Sequence, residues 1–238
     1  MPGEGTRLAV EADGRGGMRI TRLRTETPIA LRQTGPGQVT MVGSAGGPLG
    51  GDDLRLRIDV GPGACLRVGS AAATVALPGR SGAPSRFRLV VRVGAGGRFE
   101  WRPEPIVAAH KAWHEVLAEV LIGAGATAVL REVIVLGRLG EPPGTVRSRL
   151  DVAVDDQPLL RQETLVGAGG LPGWAGPAGL LGARVLGARL VAGAAATTGD
   201  LPAPTPQRSS SRLAGPGLLV TAWGADALDV AALLEDDA

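Results

Sequence analysis

Tyrosine is absent from this chain of 238 residues, and aromatic residues make up only 3% of it. Surfaces that stack nucleobases need several exposed rings, so a single-stranded nucleic-acid platform is disfavoured. Cysteine occurs once, at Cys65. An intramolecular disulfide is therefore impossible, and Cys-rich zinc sites are excluded. A chain of this length buries roughly 70% of its unfolded surface and needs neither in order to fold. The run Ala64-Cys65-Leu66-Arg67-Val68 reads as a strand, and a buried, unreactive cysteine is expected there.

Histidine occurs twice, as His110 and His114, and lysine once, as Lys111. Because Lys111 follows His110, no Gly-Lys-Ser/Thr phosphate loop can be drawn. There is no HExxH zinc helix, and no G-x-S-x-G elbow surrounds any serine. The lack of these catalytic sets favours a binding or scaffold role over an enzyme. The other 24 of the 25 basic residues are arginines, set against 23 acids for a net charge of +2. That near-balance gives little reason to expect a nucleic-acid partner. Residues 1–6 carry no apolar segment of the kind a secretory signal needs. The uncharged stretch 164–183 holds Pro172, Pro177 and seven glycines, so it reads as loop-rich rather than as a membrane helix. A soluble, cytoplasmic protein is expected.

What the chain has in abundance is glycine, 38 residues, together with 18 prolines and 44% hydrophobic residues. Many short apolar strands separated by tight turns would give these numbers. Period-two alternation is the dominant pattern. Leu54, Leu56, Ile58 and Val60 alternate with Arg55, Arg57 and Asp59. Phe87, Leu89, Val91 and Val93 alternate with Arg86, Arg88, Val90 and Arg92. Val146, Ser148, Leu150, Val152 and Val154 alternate with Arg147, Arg149, Asp151 and Ala153. Each reads as a half-buried strand with a solvated arginine face.

Glycine turns recur between these strands. Val60-Gly61-Pro62-Gly63-Ala64, Val93-Gly94-Ala95-Gly96-Gly97 and Ile122-Gly123-Ala124-Gly125-Ala126 begin 33 and 29 residues apart, and Val166-Gly167-Ala168-Gly169-Gly170 resembles a fourth copy. Glycine tolerates the positive φ of such turns. A repeated strand–turn–strand unit predicts layers that stack, although ordinary hairpins in a sandwich would leave the same trace. Further strands are expected at 18–24, 38–42, 115–122, 127–136, 184–192 and 217–223. A helix is expected after Gly224, where Ala227, Leu228, Val230, Ala231 and Leu234 form an apolar stripe. Residues 193–217 are rich in Pro, Ser and Gly and read as a mobile loop. No domain boundary precedes them, so a single domain spanning 1–238 is expected, closed by a strand and helix over 218–238.

The segment Gly43-Ser44-Ala45-Gly46-Gly47-Pro48-Leu49-Gly50-Gly51-Asp52 is a Gly-rich bend that ends in an acid and enters the alternating strand directly. Alone it could be an Asx-stabilised turn. It is followed in order by Ser70-Ala71-Ala72-Ala73-Thr74, by Phe99-Glu100-Trp101-Arg102-Pro103, by Leu136-Gly137-Arg138 with Glu141, and by Arg149-Leu150-Asp151-Val152 leading to Pro158-Leu159-Leu160. Together these motifs resemble the UreD/UreH family of urease accessory proteins over residues 18–166. The match is looser over 167–238.

The resemblance implies a mainly β fold, an open stack of strand layers resembling a β-helix, with few short helices. It implies a scaffold rather than an enzyme, one that binds apo-urease and UreF. Through UreF it recruits the GTPase UreG, for nickel delivery to the carbamylated-lysine site of urease. No tightly bound cofactor is implied, only nickel in transit. Cation transit suits oxygen ligands that hold weakly, whereas His/Cys cages trap. By position, the family's route maps onto Asp52, Thr74 and Glu132. A further family acid falls on Gln162, with Glu163 beside it as a substitute whose side chain faces the other way on a strand. Gly46, Gly47, Gly50, Gly51, Glu100, Trp101, Pro103, Gly137 and Arg138 are carried over as structural motif positions.

The residues themselves leave alternatives open. Asp52 could simply close a turn, and Glu132 could be solvated on an outward face. His110 and His114 could share a helix face and chelate a cation, or lie roughly 13 Å apart on a strand. A β-helix-like carbohydrate-active enzyme would need paired carboxylates and orienting aromatics, and the latter are scarce. An arginine-rich nucleic-acid binder would need a clustered basic face, and a β-rich binding module of unknown ligand is the alternative left if the family-based function fails.

Overall fold

A computed structural model describes residues 5–14 and 17–235. Seventeen strands and two short helices are arranged as a β-solenoid of about four turns. The repeating coil runs along a long strand, through a glycine turn, back along a second strand, and across a short connection to the next long strand. The long strands are β5 (Asp53–Val60), β8 (Ser85–Val93), β11 (Trp113–Ile122) and β13 (Thr145–Val154). They pair in parallel without a register shift. The return strands β4 (Gln38–Gly43), β6 (Cys65–Ser70), β9 (Arg98–Arg102) and β12 (Thr127–Leu136) form a second parallel sheet. Two three-residue strands, β7 (Thr74–Ala76) and β10 (Ile106–Ala108), stack on the end of β12.

Further strands extend both sheets. β1 (Thr6–Ala12), parallel to β5, and β2 (Met18–Arg24), antiparallel to β1, border the first sheet on one side, and β14 (Gln157–Gly167), antiparallel to β13, on the other. The second sheet gains β3 (Ile29–Gly35) at one edge. At the other edge it gains β15 (Val185–Gly193), β17 (Gly217–Gly224) and β16 (Arg208–Arg212). The large core lies between the sheets and includes Leu8, Val10, Leu56, Ile58, Val68, Val91, Phe99, Val120 and Leu190. Helix α2 (Ala227–Leu234) lies on the outside of the second sheet, where Val230 and Leu234 cover Val133, Val185, Val220 and Ala222. Its N-cap is Asp226, whose carboxylate accepts from the Leu228 and Asp229 amides. None of the helices among the described residues is long and apolar enough to cross a membrane.

The glycine turns are the joints of the stack. Gly63, Gly96 and Gly125 adopt φ of 64°, 65° and 66°, a left-handed conformation that costs other residues free energy. Each turn hydrogen-bonds to the next, with Gly63 N donating to Ala95 O and Gly96 N to Ala124 O. The fourth copy does not join this ladder. Gly167 pairs with Thr145 at the opposite end of the sheet, because β14 runs antiparallel to β13.

Three further expectations are corrected. The segment 193–217 contains helix α1 (Ala194–Thr198) and strand β16 rather than loop throughout. Arg208 is buried there and donates to Ala203 O and Leu233 O, which anchors the Ser-rich edge strand. The stretch from Thr164 is strand as far as Gly167, with turns only beyond it. Cys65 is exposed rather than buried, because Leu66 and Val68 take the inward positions of β6.

Turn stacking gives a direct test. A Cβ on Gly94 would lie 2.8 Å from Pro62 N, in the turn stacked beside it, whereas a Cβ on Gly96 meets nothing within 4 Å. Gly94→Ala is expected to destabilise the fold by roughly 2–4 kcal/mol. Gly96→Asn should cost less than about 1 kcal/mol, since asparagine tolerates positive φ. Denaturant unfolding of the two variants would check the ranking.

Candidate functional site

A cavity of about 180 Å³ lies inside the stack, between the large core and a smaller cluster around Ala108, Ile134, Leu136 and Val146. It is large enough for several waters. Most of its wall is apolar, with Trp101, Phe87, Leu130, Val116 and Leu150 among the lining residues. Trp101 reaches from the second sheet to stack on Phe87 of the first, with ring centroids 6.3 Å apart.

Strand alternation brings a few polar groups into this wall. On β12 the inward series is Ala128, Leu130, Glu132, Ile134 and Leu136, so Glu132 stands where its neighbours are core residues. On β13 the inward series Val146, Ser148, Leu150, Val152 places Ser148 opposite it. The Ser148 hydroxyl donates to Glu132 Oε2 at 2.7 Å and so ties the two sheets together. Gln162 and Thr164 join from β14, with Thr164 registered on Ser148, and Thr221 joins from β17. Burial pushes the Glu132 carboxyl above its ordinary range, and the Ser148 hydrogen bond opposes this only in part. The side chain keeps some accessible surface despite its depth, because it borders the cavity.

The other route positions are dispersed. Thr74 lines the cavity from β7. Asp52 does not line it; its carboxylate accepts from Leu49 N at 2.8 Å and closes the Leu49–Asp52 turn. Glu163 is on the outer face, ion-paired with Arg147 at 2.8 Å, which holds its carboxyl below the usual range. Gln162 is the one of the two that faces inward. Sequence reading did not single out Ser148, Thr164 or Thr221.

Motif residues shape the surroundings. Gly50 lies so close to Gly79 that a Cβ would sit 2.5 Å from Gly79 N. Gly51 adopts φ of 100°. Gly47 and Pro103 border the cavity, whereas a Cβ on Gly46 would meet nothing within 4 Å. Glu100 points outward to Arg67 and Arg102. A Cβ on Gly137 would collide with the Arg184 guanidinium, which reaches past it to the Leu136 and Glu141 carbonyls. Arg138 is ion-paired with Glu141, which also accepts from His110 N at 3.3 Å.

The two histidines are separated. His110 is exposed in a turn, and His114 is buried at the start of β11, on the cavity wall. The His114 Nδ1 is 2.9 Å from Ser85 Oγ. Burial pulls its pKa down to about 4, with neighbouring Glu115 opposing. Among the described residues, no group of three or more His, Cys, Asp or Glu side chains is placed to hold a metal.

These opposite shifts predict the pH dependence of stability. The unfolded chain binds a proton at His114 near pH 6.5, whereas the folded chain resists doing so until about pH 4. The stability contributed is complete above 6.5 and falls as pH drops through that interval, by up to about 3 kcal/mol. Glu132 acts in the other direction, since its ionisation opposes folding at neutral pH and protonation relieves it. Glu132→Gln is therefore expected to stabilise the fold at pH 7–8 and to lose that advantage in acid. Urea unfolding across pH 5–8 would measure both slopes.

Comparison with known proteins finds relatives over nearly the whole chain. A family model described as UreD urease accessory protein matches residues 4–236. The urease accessory protein UreD of Parafrankia sp. (strain EAN1pec) is 45% identical over 252 residues, spanning 93% of this chain and 82% of that protein. That of Streptomyces coelicolor is 41% identical, spanning 96% of this chain and 92% of its own length. A third, from Frankia alni, is 41% identical over 93% of this chain and 87% of its own length. The loose motif match after residue 166 does not mark a foreign segment, because the family model continues to residue 236. The chain belongs to the UreD family of urease accessory proteins.

Proposed function

We propose that this chain is the scaffold of a urease-maturation complex. It binds apo-urease and UreF, recruits the GTPase UreG through UreF, and carries nickel through its interior on the way to the urease active site. Family membership supports a role in urease maturation. One structural observation supports the internal route: Glu132, an acid set among core positions, faces a cavity large enough for several waters and lined by oxygen-bearing side chains from four further strands. A buried acid is costly unless it is hydrogen-bonded or hydrated. A passing cation would meet a carboxylate, hydroxyls and an amide, which are ligands that hold a borderline divalent ion loosely. The protein acts by assembly and conduction rather than by bond-making.

Co-expression with candidate UreF, UreG and apo-urease tests this. The chain should co-purify with UreF and urease, and the nickel content of urease should fall strongly when it is deleted. Glu132→Gln keeps the shape and the Ser148 contact, so it should preserve the complex while lowering nickel loading several-fold. Urease that loads fully in the absence of this chain would overturn the proposal.

A further inference from the structure

The cavity wall holds one strong metal-ligating group that the family positions do not include. His114 is 1% exposed and lines the same cavity as Glu132. Two residues further along β11, Val116 is in register with Ser148, the partner of Glu132. His114 and the Glu132–Ser148 pair are therefore one inward position apart, roughly 7 Å along the strand. Between them they could serve successive positions of a small ion, but not one tight cage.

The ring's orientation is fixed by its neighbour. Nδ1 and Ser85 Oγ are 2.9 Å apart, and Ser85 Oγ has the Trp113 carbonyl at 3.4 Å as an acceptor for its own proton. The 2.9 Å contact accommodates either tautomer; nickel binding at Nε2 requires the one in which Nδ1–H donates to Ser85 Oγ and leaves the lone pair on Nε2. Among the described residues, no hydrogen bond engages Nε2. A histidine held through one nitrogen by a fixed acceptor, with the other free, is the usual arrangement of an imidazole metal ligand. Glu115, next along the strand, points outward to Arg86 and Arg147.

We propose that His114 Nε2 is a nitrogen ligand for divalent nickel inside the cavity, with Ser85 as the residue that positions it. This deepens the proposed route and rests on that reading. The site is a station on the path, with one imidazole and cavity water around the ion, exchanging with the Glu132 side of the same space.

The chain's two histidines make the test internal. In the tag-free full-length protein labelled with 15N, the imidazole resonances of exposed His110 and buried His114 should be separable. His114 is expected in the Nδ1–H tautomer before metal is added. On titration with Ni²⁺ alone, paramagnetic broadening should reach His114 Nε2 at lower metal concentration than His110. His114→Gln should weaken Ni²⁺ binding about tenfold or more, and Ser85→Ala should weaken it by a smaller factor while leaving both histidines in place. The titration of the unaltered chain decides the matter even where a variant folds poorly.

His114 signals that stay sharp while His110 or carboxylates take up the metal would overturn the proposal, as would unchanged Ni²⁺ affinity in a folded His114→Gln protein. Loss of the whole reading is distinguishable. If the His114→Gln complex loads urease normally and the Glu132→Gln complex does not, only the histidine station fails. If urease loads without this chain, the route itself is wrong.

Discussion

Register is the constraint on which this molecule depends, and three glycines at positive φ maintain it. Gly63, Gly96 and Gly125 turn the chain by the same angle in successive coils. As a result β5, β8, β11 and β13 stack with no offset, and the inward side chains form columns. One column is Leu54, Phe87, Val116 and Ser148; the next is Leu56, Leu89, Ala118 and Leu150; a third is Ile58, Val91, Val120 and Val152. A slip of one residue in any coil would send its apolar set into water and its arginines into the core. The meeting of Ser148 with Glu132 across the stack follows from this columnar order, since each side chain reaches the cavity only through its strand's phase.

The outer face of the long-strand sheet carries rows of charge in the same register. Asp53, Arg86, Glu115 and Arg147 form one row across four strands, with Arg86 and Glu115 2.6 Å apart. Arg88 crosses diagonally to Asp53 at 2.8 Å. These side chains are largely solvated, apart from Glu115, so each pair contributes little stability, typically 0–1 kcal/mol.

How far the sequence discloses this structure depends on which interactions define each part. The long strands were legible because alternation is local and their outward arginines contrast sharply with valine and leucine. The glycine repeat was legible as a spacing, but its fourth copy was misleading: Gly167 has the right neighbours and the wrong strand direction, and direction is set by pairing with β13. The Ser-rich segment looked like loop because its order comes from distant partners, Ala203 O and Leu233 O on Arg208. Cys65 was misassigned by residue type, although the phase of Leu66 and Val68 would have placed it outward. Within the site, Glu132 and Thr74 came from family resemblance. Ser148 carried a usable local signal, a hydroxyl within an otherwise apolar inward series. Gln162 and Thr164 did not, since their strand alternates too weakly to show which face is which.

On the proposed function, the energetics of Glu132 suit conduction better than storage. Burial raises its proton affinity, because an isolated carboxylate at this depth is costly. A divalent ion beside it would compensate that charge directly. Metal affinity at such a group falls with acidity because ion and proton compete. A set of several charged ligands would hold the ion more tightly and slow its release. On the proposed function, one carboxylate with hydroxyls and an amide along an apolar wall would hold a passing ion only loosely.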